Sequence, residues 1–198
     1  MHSFDILRMK ATDLELEPIV AYIRNNYTSN DLFPIVAWIV ASISDDDYIF
    51  QIYKAINQIG YDAYSNPVGR QRLFQEPLEV AMQNKRPRVE AAICESILLY
   101  SPYVMGHLHA IELACQSRNM QIVDAYIKTR GIDFIKNSEV IEIILKEDYI
   151  ELMDFCLKNK LDRRMRLDGG ESLYEAAVSD QMRELLDERL IPPTLGDR

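Results

Sequence analysis

A chain of 198 residues, 48% of them hydrophobic and only 7 of them glycine, can bury one domain core or a short repeat array and is too apolar for extended disorder. Lys and Arg total 22 against 31 Asp and Glu, a net charge of −9, which excludes a general nucleic-acid or anionic-membrane surface. The charge is uneven along the chain. Residues 1–64 carry 4 basic and 9 acidic side chains (−5), and residues 65–100 carry 5 and 4 (+1). Residues 101–164 carry 9 and 10 (−1), and residues 165–198 carry 4 and 8 (−4), so an anionic partner should meet the middle.

Taken in order, residues 1–12 are a lead-in with one helical turn expected over Phe4 to Met9. Pro18 suits the first turn of a helix from Glu17 to about Asn25, with Ile19, Val20 and Ile23 facing inward. Leu32 to Ile43 is apolar nearly all round and so predicts a helix buried on several sides. Ser44 is the expected cap of the next helix, with Asp45, Asp46 and Asp47 on its first turn, where the helix dipole favours acids. That helix carries the stripe Ile49, Phe50, Ile52, Tyr53 and Ile56, and Gly60 ends it. Tyr61 to Phe74 then reads as the longest loop, with turn formers at Ser65-Asn66-Pro67 and Gly69.

From Glu76 the rhythm becomes regular, with helix pairs expected at about 77–84 and 88–99, 110–117 and 120–129, 140–147 and 150–159, and 172–178 and 181–189. The stretch from Ala110 to Ile127 is the clearest. Ile111, Ala114 and Cys115 share one face, Ile122, Val123, Tyr126 and Ile127 another, and Ser117-Arg118-Asn119 breaks them. Two short helices cannot bury both faces alone, so such a pair needs neighbours. No run alternates as a strand does, and the chain is expected to be all-α. The division predicted is 1–62 as N-terminal helical hairpins, 63–75 as a loop, 76–190 as repeats and 191–198 as a frayed tail.

Leu78, Ile111, Ile141 and Leu173 are spaced by 33, 30 and 32 residues, which points to an α-solenoid built from one repeated unit. These segments resemble the ankyrin repeat, whose inner helix opens T-P-L-H-x-A. The matches are Glu76-Pro77-Leu78-Glu79-Val80-Ala81, His109-Ala110-Ile111-Glu112-Leu113-Ala114, Glu139-Val140-Ile141-Glu142-Ile143-Ile144 and Glu171-Ser172-Leu173-Tyr174-Glu175-Ala176. Gln121-Ile122-Val123 and Glu151-Leu152-Met153 match the outer helix, and Gly131-Ile132-Asp133 and Lys160-Leu161-Asp162 match its closing turn. The chain departs from the family where Glu79, Glu112 and Glu142 replace its histidine and where Lys85, Arg118 and Asp148 replace its inter-helix glycine. The resemblance runs from about residue 73 to 190 and implies an array of helical hairpins that binds proteins on its concave face.

Chemistry-bearing motifs are sparse. His107-x-His109 with Cys115 does not complete a zinc spacing and reads as two solvated loop histidines, and Asp45-Asp46-Asp47 lacks the alternation and glycine of a calcium loop. Cys94, Cys115 and Cys156 fall on apolar helix faces, which fits buried reduced thiols better than a disulfide framework or a nucleophile. No secretory leader or membrane span is read, so the expectation is a cytoplasmic, monomeric protein without metal, cofactor, nucleic acid or membrane partner.

The residues expected to meet a partner are Lys85, Arg86, Arg118, Asn119 and Tyr149, which the ankyrin-like register sets in successive inter-helix turns. The expected partner is a protein with acidic character, with Tyr149 as an exposed aromatic anchor. By analogy with divergent ankyrin proteins of viruses and intracellular bacteria, a role as an effector on host proteins in the host cytosol is also expected. The alternative is a regulatory or inhibitory subunit that caps an enzyme with the helix Leu32 to Ile43 and the 61–74 loop.

Overall fold

The computed structural model describes residues 3–100 and 104–187, the latter with only the backbone of 104–107. The expected tail at 191–198 and the side chain of His107 lie outside the described residues. Every regular element described is a helix, and the one extended pairing is an isolated antiparallel bridge between Arg166 and Ser172. No described helix is long and apolar enough to cross a membrane. The chain forms two compact units, residues 1–107 and 108–198.

The first unit opens with α1 (Ser3–Thr12) and α2 (Leu16–Asn26), so the single turn expected near the N-terminus is a full helix of 10 residues. Pro18 sits in the first turn of α2 but not at its first position, and Ile19, Val20 and Ile23 are buried as expected. The third helix, α3 (Ile35–Ser42), is shorter than its apolar run because Pro34 fixes its start. Helix α4 (Asp46–Ile59) is capped by Asp45, whose carboxylate accepts from the Tyr48 amide at 2.9 Å, so the cap lies one residue later than the expected Ser44. Gly60, at φ 74°, ends it as expected.

The expected loop is helical. Helix α5 (Tyr61–Ser65) is followed by α6 (Pro67–Arg70), a π-helical turn over Gln71–Gln75, and α7 (Glu76–Gln83). Asn66 and Pro67 mark a helix start here: the Asn66 side chain accepts from the amides of Val68 and Gly69, and Pro67 takes the first turn. Gly69 serves close approach, since a Cβ there would collide with the Ala63 carbonyl oxygen and lie 3.1 Å from that of Tyr27. Pro77 has no N–H to give the Leu73 carbonyl four residues before it, and the buried Tyr53 hydroxyl donates to that carbonyl at 2.8 Å.

Helix α8 (Pro87–Tyr100) completes the first unit, whose helices pack in two rows. One row has α3 against both α1 and α7, the other has α4 against both α2 and α8, and α1–α2 and α7–α8 are hairpins across the rows. The faces between them are aliphatic: Ile35, Val36, Ile39 and Val40 of α3 and Ile49, Ile52 and Ile56 of α4 are 0 or 1% exposed. Each such side chain, fully buried, contributes about 1.5–3 kcal/mol.

The next helix, α9 (Val104–Ser117), runs into the second unit, which continues with α10 (Met120–Arg130) and a 3₁₀ turn over Ile132–Lys136. Two further hairpins follow, α11 (Ser138–Lys146) with α12 (Ile150–Lys158) and α13 (Leu173–Ala176) with α14 (Asp180–Leu186). Within this unit α13 packs on α11 and α14 on α12. The last hairpin is shorter than its pattern, because Ala177 and Ser179 are already extended. Of the periodic anchors, Leu78 is 5% exposed and Ile111, Ile141 and Leu173 are fully buried, so each lies in the core of its own unit.

Candidate functional site

The residues expected to meet a partner lie in inter-helix turns, and these turns share one backbone geometry. Lys85, Arg118 and Asp148 are left-handed, at φ 52°, 52° and 51°. After each, an amide bonds back five residues: Arg86 to Ala81, Asn119 to Ala114 and Tyr149 to Ile144, at 2.9–3.1 Å. The left-handed residue itself bonds back three, to Met82, Cys115 and Leu145. This paired closure satisfies helix-terminal carbonyls and ordinarily carries glycine, which pays no steric penalty at positive φ. Here three side chains bear that penalty at the positions where the sequence register expects the repeat's glycine.

The same geometry decides what the side chains do. The residue after the left-handed one starts the second helix and turns inward. Asn119 is 4% exposed and its side chain accepts from the Gln121 amide at 3.0 Å, capping α10. Tyr149 is 1% exposed, and burial pushes its hydroxyl pKa up to about 12. The expectation of an exposed Tyr149 anchor is therefore corrected: its ring is part of the core, because the turn points this position under the hairpin.

The arginines are tied to neighbouring turns. Arg86 donates to the carbonyl oxygens of Val40 at 2.6 Å and Ile43 at 2.7 Å and pairs with Asp46, while Arg88 reaches Asp47 at 3.3 Å. Arg86 thus supplies a cation to the negative C-terminal end of α3 and neutralises Asp46, which opens α4. Arg118 donates to the carbonyls of Glu147 and Asp148, both at 2.9 Å, and its guanidinium lies 5.0 Å from the centre of the Tyr149 ring. One hairpin further, the Ser179 hydroxyl donates to Asp148 at 2.7 Å. Of the five expected residues, Lys85 and Arg118 are exposed, Arg86 is half-buried, and Asn119 and Tyr149 are buried.

The alternative surface is mostly core. Five residues of α3 are buried, as are Ala63, Gly69, Leu73 and Phe74 of the stretch expected as a loop. The histidine reading is corrected as well, since His109 belongs to a helix, exposed and 3.4 Å from Glu112. All three thiols are buried, and burial pushes each pKa up to about 12, so neither Cys94 nor Cys115 offers a thiolate near neutral pH.

One feature escaped the sequence reading. The segment between α12 and α13 carries Arg163, Arg164 and Arg166, which line a groove of about 380 Å³ in the second unit. The signal was an R-R-x-R run inside a strongly acidic third of the chain, hidden by averaging charge over long windows. No family model matches the chain, and no curated protein or solved structure matches it.

Proposed function

We propose that this chain is a non-catalytic protein-binding module, an α-solenoid of ankyrin type that presents the turns of its hairpins to an acidic protein surface. The observation that carries this reading is the recurrence of one turn. Left-handed residues at 85, 118 and 148 recur at intervals of 33 and 30, where the resemblance expects glycine, each closed by the same pair of backbone bonds, a closure that also ends α1 at Leu14 and α12 at Lys160. A stack of such units leaves its turns along one edge, and loops held on a rigid scaffold are where binding residues concentrate. Lys85 in the first unit, and Arg118 and Lys146 in the second, offer exposed positive charge at or beside such turns, and the half-buried Arg86 and the buried Asn119 and Tyr149 hold the turns themselves. The three buried free cysteines fit a reducing compartment such as the cytoplasm.

The test is quantitative capture from a native extract with wild-type chain and with Lys85→Glu/Lys146→Glu, both exposed lysines near turn ends. Reversing two rim charges should lower recovery of the specific partner at least about tenfold with the circular dichroism unchanged. Equal recovery by a folded double variant would overturn the reading. Arg86→Glu is unsuitable for this purpose because it would break a structural tie.

A further inference from the structure

The groove beside α13 has no role in the hairpin-edge reading, yet its lining is that of a binding site. Arg163, Arg164 and Arg166 line it with one carboxylate, Asp187, and the Glu175 carboxylate acts on Arg166 from beside the lining, so arginines remain in excess in a chain whose net charge is −9. The Arg163 side chain is half-buried, and its Nε is buried without a hydrogen-bond partner among the described residues. A guanidinium turned inward with an unpaired donor is costly unless an acceptor arrives. Arg166 is anchored through Nη1 to the Gly170 carbonyl at 2.6 Å, which fixes the guanidinium at the groove's edge with further donors beyond that bond. Ser172 is already engaged in capping α13 with Glu175, so the groove's donors are the arginines and the Tyr174 hydroxyl. Tyr174 is 43% exposed and Leu186 lines the same space, which sets an apolar surface beside the charge.

We propose that this groove binds a peptide segment carrying a phosphorylated side chain, the phosphoryl group meeting Arg163 and Arg166 and an adjacent apolar side chain resting on Tyr174 and Leu186. A phosphoryl group brings three strong acceptor oxygens and up to two charges to this cluster of three arginines, more than a single carboxylate offers. Arginine forks bind phosphoryl oxygens bidentately, the common basis of phospho-motif recognition. The apolar part of the lining favours a peptide over a free anion, which would leave Tyr174 and Leu186 uncovered. The proposal rests on the reading of the chain as a protein-binding module but uses different residues, so the two can fail separately.

The test uses the full chain and an oriented library of phosphoserine peptides, the same library unphosphorylated, and inorganic phosphate, each followed by fluorescence anisotropy or competition. The phosphorylated library should bind at least about tenfold more tightly than the unphosphorylated one, and inorganic phosphate should compete only weakly. Arg163→Gln, and separately the exposed Arg166→Gln, should each remove most of that preference while the urea midpoint stays within error or rises for Arg163→Gln. Lys85→Glu/Lys146→Glu should leave phosphopeptide binding unchanged. Equal affinity for both libraries, retention of the preference in both arginine variants, or competition by inorganic phosphate as strong as by the phosphopeptides would overturn it.

Discussion

The turn at Lys85-Arg86 in the first unit and the turn at Arg118-Asn119 in the second solve the same problem with different burial. Both have a left-handed residue and an arginine that donates to two carbonyls of another turn. Arg86 also has a carboxylate partner and a side chain only 15% exposed. Arg118 is exposed and has carbonyls and an aromatic face instead of a counter-ion. The comparison teaches that one sequence feature, an arginine at a hairpin turn, can be a partly buried ion pair in one unit and an exposed clasp in the other. The surroundings of the facing turn decide which: Asp46 begins a helix beside Arg86, whereas Arg118 meets the carbonyls that end α11 and the Tyr149 ring.

The most severe test of the comparison lies behind the second turn, at Ala114, which is fully buried and accepts the turn-closing bond. Ala114→Arg should cost more than about 3 kcal/mol through overpacking and an unpaired buried charge, read as a lowered urea midpoint. An unchanged midpoint would mean that this small residue is not needed for helix approach. Next in size, Arg86→Ala should destabilise by about 3 kcal/mol and Arg118→Ala by about 1 kcal/mol, because only the first strands a partly buried carboxylate. Equal losses in parallel denaturant titrations would erase the distinction between the two turns.

A third variant probes a feature of the first unit. Tyr53→Phe should cost about 1–2 kcal/mol, since the Leu73 carbonyl loses the hydroxyl that stands in for the missing Pro77 amide. Faster exchange of amides around 71–78 is the accompanying signature, and protection at the wild-type level would refute the assignment. The smallest effect has the opposite sign. Lys85→Gly should raise stability by about 0.5–1 kcal/mol, because glycine adopts φ 52° without steric cost, while the exposed Lys85 side chain has little to lose. A fall in stability would show that the Lys85 side chain contributes more to the turn than its backbone strain costs.

Much of this was legible in the residues. The apolar spacing located the anchors Leu78, Ile111, Ile141 and Leu173, and the missing glycines at 85, 118 and 148 mark three of the five left-handed non-glycine positions among the described residues, Leu14 and Lys160 being the two that no register reported. The stretch from 61 to 75 was not legible, because Asn66, Pro67 and Gly69 are equally the residues of a turn and of a helix start beside a close backbone crossing. The fate of Asn119 and Tyr149 was hidden for another reason. Helical periodicity assigns faces within a helix but says nothing of the residue that leaves a left-handed turn, and that residue points inward here. The role of Arg86 depended on Asp46 and on carbonyls 43 and 46 residues earlier, which no local pattern reports.

The reach of these ties has a kinetic consequence. Arg86 clasps backbone 43 and 46 residues earlier, Arg118 clasps backbone 29 and 30 residues later, and Ser179 meets a side chain 31 residues earlier. Each is closed by a chain segment of 29 to 46 residues, so ordering one hairpin prepares the landing place for a neighbouring one at modest loop-closure cost. Ties of this reach favour rapid assembly inside each unit, since none of them joins parts of the chain more than 46 residues apart.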